Sequence, residues 1–87
     1  MGENNDFEDR VRADWSLAVA EASAKLDELR ADVIAALNSS ESRIRAAAVT
    51  VLLEAGCTEA HDVVVKLLND PSSLVRGEVI EYLEDFA

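Results

Sequence analysis

The amino-acid sequence predicts an all-α protein in which about five helices stack as antiparallel pairs. Three observations predict this fold class: a sequence pattern that recurs three times, apolar residues spaced at intervals of three and four, and no proline inside the segments with that spacing. The chain has 87 residues, of which 49% are apolar and 30% charged. This length and composition are typical of one small folded domain.

The repeat consists of a polar pair in a turn and a Val-Arg or Ile-Arg pair six residues further along. Intervals of 33 and 31 residues separate its three arginines. We therefore expect one domain over residues 1–87, with a partial repeat at 5–26 and full repeats at 27–56 and 57–87. The three copies are Asn5-Asp6 with Val11-Arg12, Asn38-Ser39 with Ile44-Arg45, and Asn69-Asp70 with Val75-Arg76.

The first two predicted helices occupy the N-terminal half of the chain. The first runs from about Glu8 to Ser23, with Asn5 or Asp6 as its cap, and the second follows Asp27 and stops near Asn38. Neither Gly nor Pro stands at residues 23–26, where these helices would separate. One continuous helix over about 6–38 is therefore the alternative.

Three further helices are predicted in the C-terminal half. The third carries apolar residues from Ile44 to Leu53 and ends at Gly56, since glycine accepts the left-handed conformation common at helix ends. The fourth starts after Thr58. Asp70-Pro71 ends it and opens the fifth, with Pro71 in the first turn.

Three single residues have a structural and a functional interpretation. Trp15 superposes on Ala48 and Val79 in the other copies, so we expect it to fill the core and cap the end of the stack rather than to anchor a partner. His61, in the first turn of the fourth helix, is expected in solvent. Cys57 is expected to be a small apolar residue, with a reactive thiol as the alternative.

The balance of charge excludes several classes of function. Eighteen acidic residues against eight basic ones give a net charge of −10, which repels nucleic acid and anionic membranes. The uncharged runs are too short to span a bilayer. A single cysteine and no leader pattern favour the cytoplasm. Phosphate-binding loops, zinc-ligand spacings and EF-hand loops are absent from the sequence, so we expect no enzyme activity, cofactor or metal.

The repeat resembles the HEAT type, whose pattern is an Asp in the turn between paired helices, Val-Arg six residues later, and then spaced Ala and Leu. The middle copy departs from this pattern by having Ser39 in place of the Asp. The resemblance implies a right-handed α-solenoid in which the turn Asp and the Arg form a polar ladder between neighbours. The matching residues are Asp6, Val11, Arg12 and Ala13 in the first copy and Asp70, Pro71, Val75, Arg76 and Leu83 in the last.

Superposing the copies aligns the outward positions of the second helix of each pair, which line the face that solenoids commonly use for recognition. Several of these rows are acidic, and we expect them to bind a basic protein surface. The alternative is a solvated face that only keeps the protein soluble. The predicted partner-binding residues are Asp14, Leu17, Glu21, Thr50, Glu54, Glu78, Glu81, Tyr82 and Asp85.

These observations favour a non-enzymatic protein-binding module, an inhibitor or immunity-type protein that covers a basic nucleic-acid-handling protein by occlusion and charge mimicry. The alternative is a scaffold or adaptor fragment of a larger helical-repeat assembly, in which two chains could pair through the open end near Trp15. A third class, the bilin lyases found among HEAT-like proteins, is disfavoured because the chain is too short to enclose such a ligand.

Overall fold

Six α-helices and one 3-10 turn form the structure, a computed structural model that describes residues 5–86. Within that range all regular secondary structure is helical, which confirms the predicted all-α class. The predicted domain bounds, 1–87, extend further, since residues 1–4 and 87 lie outside the described residues. The elements are α1 (Asp6–Ala13), α2 (Trp15–Ala24), α3 (Leu26–Ala36), α4 (Ser42–Ala55), α5 (His61–Lys66), the 3-10 turn (Leu67–Asn69) and α6 (Ser73–Phe86).

The chain breaks between α1 and α2 where the sequence predicted one helix from Glu8 to Ser23. Asp14 adopts an extended backbone, with φ −160° and ψ 99°, and its carboxylate accepts a hydrogen bond from the Leu17 amide at 3.1 Å. It is therefore the N-cap of α2. A second break at Lys25 separates α2 from α3, so the alternative of one helix over residues 6–38 is also wrong.

The C-terminal elements follow the prediction more closely. Gly56 ends α4 in the left-handed conformation, with φ +68°. The fourth predicted helix is shorter than expected, because α5 has six residues and continues as the 3-10 turn. Pro71 lies before α6 and not in its first turn, while Ser72 accepts a long hydrogen bond of 3.5 Å from the Val75 amide.

Helices α2, α4 and α6 lie side by side and form one layer, with α4 in the centre. The start of α4 contacts the turn before α6 through Arg45 and Asp70, and further along the two helices Thr50 contacts Glu78. These contacts show that α4 and α6 run parallel. Helix α3 packs against both α1 and α4, while α5 and the 3-10 turn pack against α6.

The core is continuous along this stack and includes a residue that the sequence analysis did not single out. Phe7 and Val11 of α1 are fully buried. Trp15 packs against the core but is only half-buried, whereas Ala48 and Val79, on which it superposes in sequence, are fully buried. The break at Asp14 accounts for the difference, because it makes Trp15 the first residue of a new helix.

Candidate protein-binding surface

A buried ion pair joins the last two helix pairs. Arg45 donates from Nε and Nη2 to the two carboxylate oxygens of Asp70, at 2.7 and 2.8 Å, and from Nη1 to the Ser39 carbonyl oxygen at 2.8 Å. Hydrogen bonds from Arg45, and one from the Ser72 amide at 2.9 Å, hold the pKa of Asp70 below its usual range although burial opposes them. Arg45 therefore links the turn of its own repeat to the turn of the next.

The preceding contact of this ladder uses a different acidic residue. Arg12 donates to Glu41 from Nε at 3.0 Å and from Nη2 at 2.6 Å. Ser39 occupies the position of the pattern's Asp, and Glu41, two residues later, supplies the carboxylate instead. This pair is exposed, and the hydrogen bond from Arg12 lowers the pKa of Glu41. Identical spacing between the copies does not reveal Glu41, because this residue lies two positions after the one that the pattern's Asp occupies.

Two of the predicted partner-binding residues are buried. The Tyr82 side chain is fully buried, and Thr50 is 7% exposed and donates to the Ala46 carbonyl oxygen and to the Glu78 carboxylate, at 3.0 and 2.7 Å. The expectation that Thr50 and Tyr82 offer contact area to a partner is therefore wrong. The cause is close packing, because small outward side chains on α4 allow α6 to come near enough for Glu78 to cover Thr50.

Four predicted residues form an acidic surface on α6 and the end of α4, namely Glu54, Glu78, Glu81 and Asp85. Glu81 and Asp85 follow Glu78 at helical spacing on α6, and Glu54 lies one turn beyond Thr50 on the parallel helix α4. Glu54, Glu81 and Asp85 are exposed, and Glu78 is half-buried. Within residues 5–86 none of the four forms an ion pair with a basic side chain.

The remaining three predicted residues lie apart from the acidic surface, at the junction of α1 and α2. Asp14, Leu17 and Glu21 line a recess of about 100 Å³ together with Arg10 and Ala13. Glu21 forms an ion pair with Arg10, so its charge is compensated. Leu17 is 64% exposed. The predicted site thus divides into an acidic surface and a largely apolar recess.

The arrangement of helix pairs and the arginine ladder agree with a comparison against protein-family models, in which residues 30–87 match HEAT repeats. This match covers more than half of the chain. The chain belongs to the HEAT repeat family. Neither the comparison with curated proteins nor that with solved structures gave a match. HEAT repeats generally mediate protein–protein interaction and are typically not catalytic.

The charge distribution of this HEAT chain is uneven. Arg10, Arg12, Arg30 and Arg45 all form ion pairs with carboxylates on α1–α5 or in the connecting turns. In α6, by contrast, the last turn contains no basic residue although three acidic ones lie near it. A helix C-terminus favours cations, so this placement is unfavourable in the isolated chain.

Inside the HEAT stack, Tyr82 lies close to both Cys57 and His61. The Tyr82 hydroxyl lies 3.4 Å from both the Cys57 carbonyl oxygen and His61 Nδ1, and burial raises the pKa of Tyr82. His61 is half-buried against this ring and not free in solvent as the sequence suggested. Among the residues that the structure describes, no three or more His, Cys, Asp or Glu side chains are placed to hold a metal ion.

Over residues 5–86 no helix has both the length and the apolar character needed to cross a bilayer.

Proposed function

We propose that this HEAT chain is a non-enzymatic inhibitor that binds a basic, nucleic-acid-handling protein through its acidic surface. The observation that carries the proposal is a set of four carboxylates on two adjacent parallel helices, Glu54, Glu78, Glu81 and Asp85, none of which forms an ion pair within residues 5–86. Protein binding is the general role of HEAT repeats. Charge is what directs this chain toward a basic partner.

The proposed mechanism is occlusion with charge mimicry. Carboxylates at helical spacing along α6 present a row of negative charge, as a phosphate backbone does to a basic groove. A net charge of −10 speeds the encounter with such a groove, because long-range attraction raises association rates. Once docked, the chain would occupy the surface that nucleic acid otherwise contacts.

The proposal includes a location in the cytoplasm and no catalytic step. The one cysteine, Cys57, is a free thiol, which suits a reducing compartment. HEAT repeats are typically not catalytic, and the single imidazole, His61, packs on the buried Tyr82 ring.

The test is affinity capture from a native extract with two matched variants. Glu81→Lys/Asp85→Lys changes the acidic surface, and Glu28→Lys/Asp62→Lys makes the same change in net charge at exposed acids on α3 and α5. We expect the unaltered chain and the second variant to capture the same basic protein. The first variant should lose it, and short duplex DNA should elute it from the unaltered chain.

Capture that is equal for both variants would contradict the proposal, as would a partner that DNA does not displace. Circular dichroism of both variants separates lost binding from lost folding. All four substituted residues are exposed, so both variants should melt close to the unaltered chain.

A scaffold role is the second candidate, and a different observation favours it. Leu17 and Ile80 are 64% and 51% exposed, more than any other large apolar side chain among residues 5–86. They lie on the first and last helices of the α2–α4–α6 layer. Exposed apolar residues at both ends of a stack are what a longer assembly would cover.

A further inference from the structure

Arg76 repeats the geometry of Arg45 with one partner missing. Both arginines donate from Nη1 to a carbonyl oxygen six residues earlier, Arg45 to Ser39 at 2.8 Å and Arg76 to Asp70 at 2.7 Å. In Arg45 this hydrogen bond leaves Nε and Nη2 free to bind the Asp70 carboxylate. The same two atoms of Arg76 have no acceptor among residues 5–86. The guanidinium is therefore anchored in position to bind a further carboxylate.

The surface of α6 beyond Arg76 corresponds to a surface that is covered on α4. Ile80 lies one turn after Arg76 and is 51% exposed, whereas Val49, which occupies the same repeat position on α4, is fully buried. Gly77, between Arg76 and Ile80, is exposed, while the corresponding Ala46 is fully buried. On this side α6 has the features of a helix that accepts a neighbour.

The opposite end of the stack, at the junction of α1 and α2, has an unpaired carboxylate and a recess that could accept Arg76 and Ile80. Asp14, the N-cap of α2, is exposed and makes no ion pair with any residue in 5–86. Leu17 and Ala18, three and four residues further along, line the recess of about 100 Å³, which is close to the volume of one aliphatic side chain. Arg10 and Glu21, also in its lining, form an ion pair with each other.

We propose that copies of this chain associate head to tail, with Ile80 of one copy in the α1–α2 recess of the next and Arg76 binding the carboxylate of Asp14. The spacing of the contacting residues is the same on both surfaces. Arg76 and Ile80 are four residues apart on α6, and Asp14 and Ala18, which they would contact, are four residues apart at the start of α2. The two helices would run parallel, as α4 and α6 do within one chain.

A second copy is the occupant because the same chain carries both halves of the contact. The apolar side chain of Ile80 meets a largely apolar recess, and Arg76, which lacks a carboxylate partner, meets the unpaired carboxylate of Asp14. The contact joins two different surfaces, so each copy keeps one free end and the assembly grows as a chain. This inference does not rest on the proposed partner binding, which uses a neighbouring face of α6.

The experiment is sedimentation velocity of the unaltered chain and of one variant for each of the two contact surfaces. The salt concentration is about 0.15 M, at which charges are screened beyond about 8 Å. Leu17→Glu places a charge in the recess, and Ile80→Glu replaces the side chain that enters it. Both positions are more than half exposed, so neither variant should unfold. Leu74→Glu is the matched control, since Leu74 is 49% exposed on the same helix as Ile80 but lines a different recess with Trp15 and Arg43.

We expect the mean mass of the unaltered chain and of Leu74→Glu to rise with concentration up to about 1 mM. Each end variant alone should remain a monomer. An equimolar mixture of the two should form a pair and nothing larger, because only one intact recess and one intact Ile80 remain to meet.

A monomeric unaltered chain over this range overturns the proposal. So does assembly of either end variant by itself, loss of assembly in Leu74→Glu, or a mixture that stays monomeric. A symmetric dimer is distinguished by the unaltered chain, because its mean mass would then level off at two copies instead of rising further with concentration.

Discussion

Asp70 is the buried carboxylate that ties the last two helix pairs together. Its side chain is 4% exposed, and that of Arg45 is 13% exposed. Removing a partner from a buried pair leaves the other charge without compensation. We expect Asp70→Ala to lower the free energy of unfolding by about 3 kcal/mol, measured by urea denaturation. Glu41→Ala, which breaks the corresponding exposed contact with Arg12, should lower it far less.

The same pair makes stability depend on pH. Because the pKa of Asp70 is lower in the folded chain than in the unfolded chain, its contribution is present above the unfolded pKa, near 3.8, and is lost as pH falls through the lower folded value. The difference in melting temperature between the unaltered chain and Asp70→Asn should thus shrink below about pH 4. A difference that stays constant from pH 7 to pH 2 would show that Asp70 does not titrate as this pair requires.

At the scale of the helix, two glycines should respond to alanine in opposite directions. Gly56 ends α4 with φ +68°, a conformation that disfavours a side chain by about 1–2 kcal/mol. Gly77 lies within α6, and a methyl group added there meets nothing within 4 Å. Gly56→Ala should therefore destabilise the chain, and Gly77→Ala should stabilise it by about 0.5–1 kcal/mol, as thermal unfolding at low concentration would show. Equal effects of the two substitutions would be inconsistent with these backbone conformations.

Some helix ends could be predicted from the sequence and others could not. Gly56 was found from sequence because a glycine after an apolar run is a strong local signal. The break at Asp14 was missed because the first copy aligns with α4 without a gap, although Asp before Trp-Ser-Leu is itself an N-cap pattern. The burial of Thr50 could not be predicted from repeat positions either, because it depends on how closely α6 approaches α4.

At the scale of the whole molecule, the position of α4 sets the order of local stability. Residues 46–52 of α4 are all buried, and the helix contacts α1, α2, α3 and α6. In contrast, α1 has two buried residues, Phe7 and Val11, and α5 has one, Val64. In a stack whose contacts are between neighbours, opening from either end leaves the centre intact, so the central helix should open only with global unfolding.

Amide hydrogen exchange would measure this order. We expect the slowest exchange in α4, intermediate rates in α6 and α3, and the fastest in α1 and α5, because short helices with few buried residues open at low free energy. Phe7→Ala serves as the internal check, since it removes the main anchor of α1. It should accelerate exchange in α1 more than in α6, whereas equal acceleration throughout would mean that the stack opens as a single unit.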